Sequence, residues 1–440
     1  MRRQVVITGL GAVSPLGVGT DALWDGLVEG RCALEPITRF DPSGIGSQIA
    51  GQVPASFSIR DFVPKHYRKA TKVMAPDIEL AVAAAHLAIN DAGIVTRASA
   101  EEGAAATPTV PPERLGCLIG AGLIAANNQE LALALSRSKD EKGNIDFARW
   151  GTEGMQNLTP LWMLKYLPNM LACHVTIVHD AQGPSNTITA AEVSGILSVG
   201  ESRSVIERNA ADVCFSGGGE SRVHPVTCVR MQLAGWTSLS AAGSPPDRAV
   251  RPYDTKEPAS ALGEGSGIVI VEEEAHARKR GVKIYARVAG FGGGQTGMRG
   301  SVEDKAVGLR GAIGRALRDA GLQPSDIDAI VPGALGVAEP DAIEAAALRQ
   351  VFGERLASVP MITLPPAIGN TVAGAGALAI VAAAKAIERQ TLPARIHGGA
   401  WPKDLQAGPA TMRDAKLGAV LVCGVSWGGQ CGALILTRAG

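Results

Sequence analysis

Short apolar runs that end in glycine, such as Val5-Val-Ile-Thr-Gly and Leu115-Gly-Cys-Leu-Ile-Gly, alternate along this chain with longer alanine-rich stretches. One such stretch runs from Ile78 to Ala92 and stops at Gly93. A short apolar run fits a strand buried on both faces, and an alanine-rich stretch fits a helix packed closely against it. The alternation therefore predicts an α/β protein. The pattern starts again near Arg251. Lys283-Ile-Tyr-Ala-Arg-Val-Ala-Gly reads as a strand, Asp304 to Ala320 as an amphipathic helix closed by Gly321, and Asp328-Ala-Ile-Val as a strand. Two similar halves are expected, residues 1–250 and 251–440. Each carries one helix too rich in small residues to be a surface helix, Ala190 to Ala210 in the first and Thr371 to Ile387 in the second. The stretch from Ala98 to Pro112 has neither period and reads as an exposed loop.

Composition narrows the function classes. With 440 residues, 46% of them hydrophobic, the chain can bury a large core. Lys plus Arg and Asp plus Glu both number 42, so no overall field draws the protein to nucleic acid or an anionic membrane. The seven cysteines are scattered singly and read as reduced, buried small hydrophobes of a cytoplasmic protein. The N-terminal residues lack the pattern of a signal peptide, and apolar runs break before they could span a bilayer. The histidines show no metal-ligand spacing with Cys or acids, so no metal is expected.

Two motifs suggest chemistry that the rest of the chain does not support. Gly424-Val-Ser-Trp-Gly fits the G-x-S-x-G pattern, but the last histidine, His397, precedes it and the following Gly432-Ala-Leu-Ile-Leu looks like a strand where a nucleophile elbow needs a helix. Gly120-Ala-Gly after a strand loosely fits a dinucleotide fingerprint, but no acidic residue ends a second strand at the usual offset. A tight turn into a close-packed helix explains those glycines.

Longer blocks carry a family resemblance. Val5-Val-Ile-Thr-Gly-Leu-Gly-Ala-Val-Ser-Pro-Leu-Gly, Trp24-Asp-Gly-Leu-Val-Glu-Gly, Leu167-Pro-Asn-Met, Gln182-Gly-Pro-Ser, and the stretch from Arg251-Pro-Tyr-Asp through Gly263-Glu-Gly-Ser-Gly to Gly281-Val-Lys-Ile-Tyr-Ala lie in order across nearly the whole chain. Together they resemble the elongating β-ketoacyl-(acyl-carrier-protein) synthases. The resemblance implies a thiolase-like, duplicated five-layer α/β/α/β/α fold that works as a dimer. It also implies a chemistry: a cysteine at the start of a buried helix holds the acyl chain, and two histidines, the second supported by a lysine, stabilise an enolate.

Carried over position by position, the resemblance puts Glu192 where the family has its cysteine, Gly333 where it has its first histidine, and Asn370 where it has its second. Pro365 stands at the supporting lysine, and Trp427 stands where a phenylalanine flanks the acyl pocket. A carboxylate cannot hold a stable thioester, so ordinary condensation by this chain alone is not expected. Within the family, chain length factors carry glutamine at the cysteine position and pair with an active synthase, and Glu192 is close to glutamine in shape. A partner role is the leading expectation. An enzyme using Glu192 as acid or base on a carrier-bound chain, and a homodimeric acyl-binding module, are the alternatives. No cofactor is implied beyond the phosphopantetheine arm brought by an acyl carrier protein. Lys65, Arg68, Lys69 and Lys72 lie on a stretch resembling the basic helix that meets that carrier.

Overall fold

The computed structural model describes residues 2–99, 107–241, 243–297, 299–396 and 399–439. Its main strands are β1 (Val5–Ser14), β2 (Leu115–Ala121), β3 (Ser185–Ile188), β4 (Val213–Ser221), β5 (Leu262–Glu273), β6 (Ala286–Gln295), β7 (Ala329–Val331), β8 (Ala419–Val425) and β9 (Gln430–Thr437). The helices that matter here are α1 (Pro76–Asp91), α2 (Met170–His179), α3 (Ser194–Glu207), α4 (Pro225–Leu233), α5 (Val302–Ala320), α6 (Ala338–Phe352) and α7 (Ala375–Arg389).

The strands repeat one pattern. In the first half the order is β1-β5-β4-β2-β3, with β1, β5 and β4 antiparallel and β4, β2 and β3 parallel. In the second it is β6-β9-β8-β7, again antiparallel over the first three strands and parallel at the last, where Ile330 bridges on to Met361. The two sets meet where Val6 and Ile7 of β1 pair with Arg287 and Ala286 of β6. β5 lies inside the first set although it follows residue 251, so the chain passes from one set to the other between β5 and β6.

The core follows these layers. Helices α1 and α2 pack on the outer face of the first strands, α5 and α6 on the outer face of the second, and α3 and α7 lie between the two sets. This is the duplicated five-layer α/β/α/β/α arrangement that the resemblance implied. The central pair can approach closely because small residues line the contact. A Cβ on Gly195 would sit 2.6 Å from the Ala377 nitrogen, and one on Gly376 would sit 2.9 Å from Ile196 Cγ1.

Several sequence expectations changed in detail. β1 does not end at Gly9 but continues to Ser14. Gly9 and Gly11 are not turn residues: a side chain at either would run into the carbonyls of Ala88 and Ala84 on α1. α1 ends as expected, with Gly93 at φ +61°, and α5 closes on Gly321 at φ +68° behind a Ser301–Asp304 capping box. Residues 100–106 of the Ala98–Pro112 loop lie outside the described residues.

Candidate active site

The polypeptide enters both central helices through the same strained turn. Ala191 has φ +47°, and a short 3-10 turn from Ala191 to Val193 then leads into α3. Val372 has φ +46°, and Val372–Gly374 leads likewise into α7. Left-handed backbone is costly for a residue with a side chain, most of all for a β-branched one, at about 1–3 kcal/mol each. The surrounding layers hold both turns in place, and the first of them presents Glu192.

Glu192 is 5% exposed and sits at the seam of the two halves. Asn370 Nδ2 donates to its Oε1 over 3.3 Å, and the Trp427 backbone N–H donates to its Oε2 over 3.2 Å. Burial pushes the carboxyl above the ordinary glutamate range, while the two hydrogen bonds and the charge of Arg222 pull the other way. Asn370 is fully buried and fixed at three points. Its Oδ1 accepts from Val372 N at 2.9 Å, its N–H donates to Ala261 O, and its carbonyl accepts from Gly263 N. It thus caps the turn into α7 and reaches Glu192 as well.

Gly333 lies on a loop held by two buried acids of α6. Gly333 N and Ala334 N donate to the Glu344 carboxylate at 2.8 and 3.0 Å, and Tyr253 Oη donates to it at 2.6 Å. Leu335 N, Gly336 N and Tyr253 N donate to Asp341. Burial raises both acids, Asp341 to about 8. A Cβ at position 333 would stand 3.3 Å from Glu344 Oε1, so a larger side chain there would crowd that carboxylate.

Glu192 separates two spaces. Inside it lies a cavity of about 30 Å³ bordered by Gly333, Pro365, Ile368, Thr371 and Val425. Outside it lies a chamber of about 360 Å³ bordered by Leu123, Thr189, Arg222, Arg230, Met231 and Trp427. Trp427 is 44% exposed at the rim, and its ring leans on buried Trp236 with centroids 5.8 Å apart. The Gly424-Val-Ser-Trp-Gly motif is the hairpin between β8 and β9, where Ser426 Oγ donates to Gln430 Oε1 at 2.5 Å. It is no elbow.

The structure thus brings Glu192, Asn370, Gly333 and Trp427 to one place. Lys65, Arg68, Lys69 and Lys72 lie elsewhere and are exposed. The helix expected for them is absent: the stretch forms two 3-10 turns, Lys65–Tyr67 and Ala70–Val73, held to α2 by Tyr67 Oη and His174 Nδ1 at 2.8 Å.

Sequence reasoning missed Glu220 and Arg222. They form a buried ion pair at 2.5 Å beside Glu192, and burial lifts Glu220 to about 8. An acid and a base alternating at the end of a glycine-rich strand, Gly217-Gly-Gly-Glu-Ser-Arg, was the available signal.

Two family models match the chain: the N-terminal domain of β-ketoacyl synthases over residues 2–277 and their C-terminal domain over 285–398. A protein named as a polyketide β-ketoacyl synthase 1 of Streptomyces cyaneus is 30% identical, over 99% of this chain and 98% of its own length. The 3-oxoacyl-[acyl-carrier-protein] synthase 2 of Coxiella burnetii is also 30% identical, over 99% of each chain. The ishigamide ketosynthase/chain length factor structure superposes with a TM-score of 0.83 at 25% identity, over 100% of both chains.

Proposed function

Because the chain belongs to the β-ketoacyl synthase family, we propose that it is a non-condensing partner subunit, of the chain-length-factor type, for an active ketosynthase of fatty-acid or polyketide biosynthesis. The observation that carries this reading is the state of Glu192. The residue that begins the buried helix is a carboxyl held by two donors, with no sulfur to take an acyl chain. Acyl transfer to a carboxylate would give an anhydride, which water destroys, so no acyl group is stored here. Gly333 offers no side-chain donor for an enolate, and the Asn370 amide is already engaged by Glu192. The space such donors would fill near position 333 is the small cavity beside Pro365.

A free sheet edge supports pairing with another subunit. β3 bonds only to β2 among the described residues, and Ser185 and Asn186 on it are exposed. Such an edge invites a strand from another chain. Exposed Leu161 and Ile177 add apolar surface to the first half. The carrier protein would be met through Lys65, Arg68, Lys69 and Lys72, in the cytoplasm, where the seven cysteines stay free. The test is co-expression with a ketosynthase that keeps its cysteine. The two chains co-purify as a heterodimer that elongates a carrier-bound chain, while this chain alone does not. Condensation by the lone chain would overturn the proposal.

A second reading rests on the raised proton affinity of Glu192 beside an open chamber. A carboxyl with raised proton affinity can serve as an acid or base toward a carrier-bound chain. It requires turnover that disappears in Glu192→Ala with the fold intact.

A further inference from the structure

The chamber outside Glu192 is built for more than hydrocarbon. Arg222 follows β4, is 7% exposed, and borders the chamber. One of its terminal nitrogens pairs with Glu220, but its Nε–H finds no acceptor. Arg230, on α4, borders the same chamber, is exposed, and has no ion pair among the described residues. A purely apolar guest would strip water from Arg230 and give nothing back, at a cost that disfavours it. A carboxylate would supply acceptors to the two guanidinium groups that border the chamber, through charge-assisted bonds. The volume, about 360 Å³, lies in the range of small-molecule sites.

We propose that this chamber holds an acyl chain ending in a carboxylate, with the carboxylate received by Arg222 and Arg230. The proposal rests on the reading that the protein handles carrier-linked acyl groups. A free dicarboxylate presents the same chemistry, so the test must separate the two.

The experiment is calorimetric titration of the full chain with three probes: adipoyl-pantetheine, hexanoyl-pantetheine and adipate. Adipoyl-pantetheine is expected to bind at least ten times more tightly than hexanoyl-pantetheine, and Arg230→Met, an exposed substitution that leaves the Arg222–Glu220 pair intact, is expected to erase that preference. Arg222→Met serves as a second variant if it stays folded. Equal or tighter binding of hexanoyl-pantetheine overturns the carboxylate site and leaves the carrier-linked reading standing. Arg230-dependent binding of adipate without binding of either thioester overturns the proposal in favour of a free dicarboxylate, and the carrier-linked reading falls with it. Failure of all three probes to bind overturns the proposal as well.

Discussion

Asn370 and Glu192 stand 178 residues apart in sequence, and a 3.3 Å hydrogen bond from the Asn370 amide to the Glu192 carboxyl ties the two halves of the fold together at the start of their central helices. Asn370 serves both partners at once, because its oxygen accepts from Val372 N while its nitrogen donates to Glu192. Asn370→Ala would leave one buried acceptor and one buried donor unmatched. We expect it to lower unfolding stability by about 1–3 kcal/mol. Asn370→Asp, which sets two carboxyls side by side, should cost more. Urea unfolding at neutral pH checks the order.

Glu192 also makes a pH prediction. Its folded proton affinity is raised by burial, so between the ordinary glutamate value of about 4.3 and the raised value the native state binds more protons than the unfolded state. Stability from this group is present at low pH and lost as pH rises through that window. Glu192→Gln lacks the term, though its amide faces one donor too many. The melting temperature of Glu192→Gln relative to wild type should therefore rise as the pH climbs from about 4.3 through the raised value. A constant difference would mean that Glu192 ionises alike in both states. Asp341 titrates in the same sense but is common to both proteins and cancels in the difference, whereas Glu220, raised by burial and in part by the Glu192 charge, loses that second contribution in Glu192→Gln and shifts the difference in the same direction.

The seam between α3 and α7 can be tested without touching an ionisable group. Gly195→Ala would place a methyl 2.6 Å from the Ala377 nitrogen, and overpacking of this kind costs about 1–3 kcal/mol. Gly314→Ala on α5 meets nothing closer than 3.6 Å and should instead stabilise the protein by about 0.5–1 kcal/mol through helix propensity. Opposite signs from the same substitution, measured by thermal melts, separate close packing from backbone entropy.

Much of this fold was legible in the sequence because it rests on local pattern. α1 and α5 end at glycines that take positive φ, and a chain shows such stops directly. β1 was read too short because Gly9 and Gly11 punctuate it, and only the approach of α1 reveals that they are there to admit another backbone. At the candidate site, position-by-position resemblance placed Glu192, Asn370, Gly333 and Trp427 together. It could not supply the Arg222–Glu220 pair or the Glu344 and Asp341 anchors of the Gly333 loop, because those depend on which turn meets which helix. The basic stretch was expected as a helix because the resemblance implied one, and it forms two 3-10 turns instead.

Those four cations set an electrostatic expectation. Neutralising Lys65, Arg68, Lys69 and Lys72 together should slow association with an acidic acyl carrier protein by about tenfold or more at low salt. The deficit should shrink as salt is added. Stopped-flow binding at two ionic strengths reads both effects, and an unchanged rate would move carrier docking to another face.

The central claim is that the carboxyl of Glu192 stands where an acyl chain would otherwise be held, and that it holds none. The most direct measurement is the intact mass of both subunits after the purified pair is incubated with acyl-loaded and malonyl-loaded carrier protein. The account expects acyl mass on the ketosynthase partner alone, with this chain unchanged. Acyl mass on this chain, or decarboxylation by this chain alone that disappears in Glu192→Ala, would contradict it.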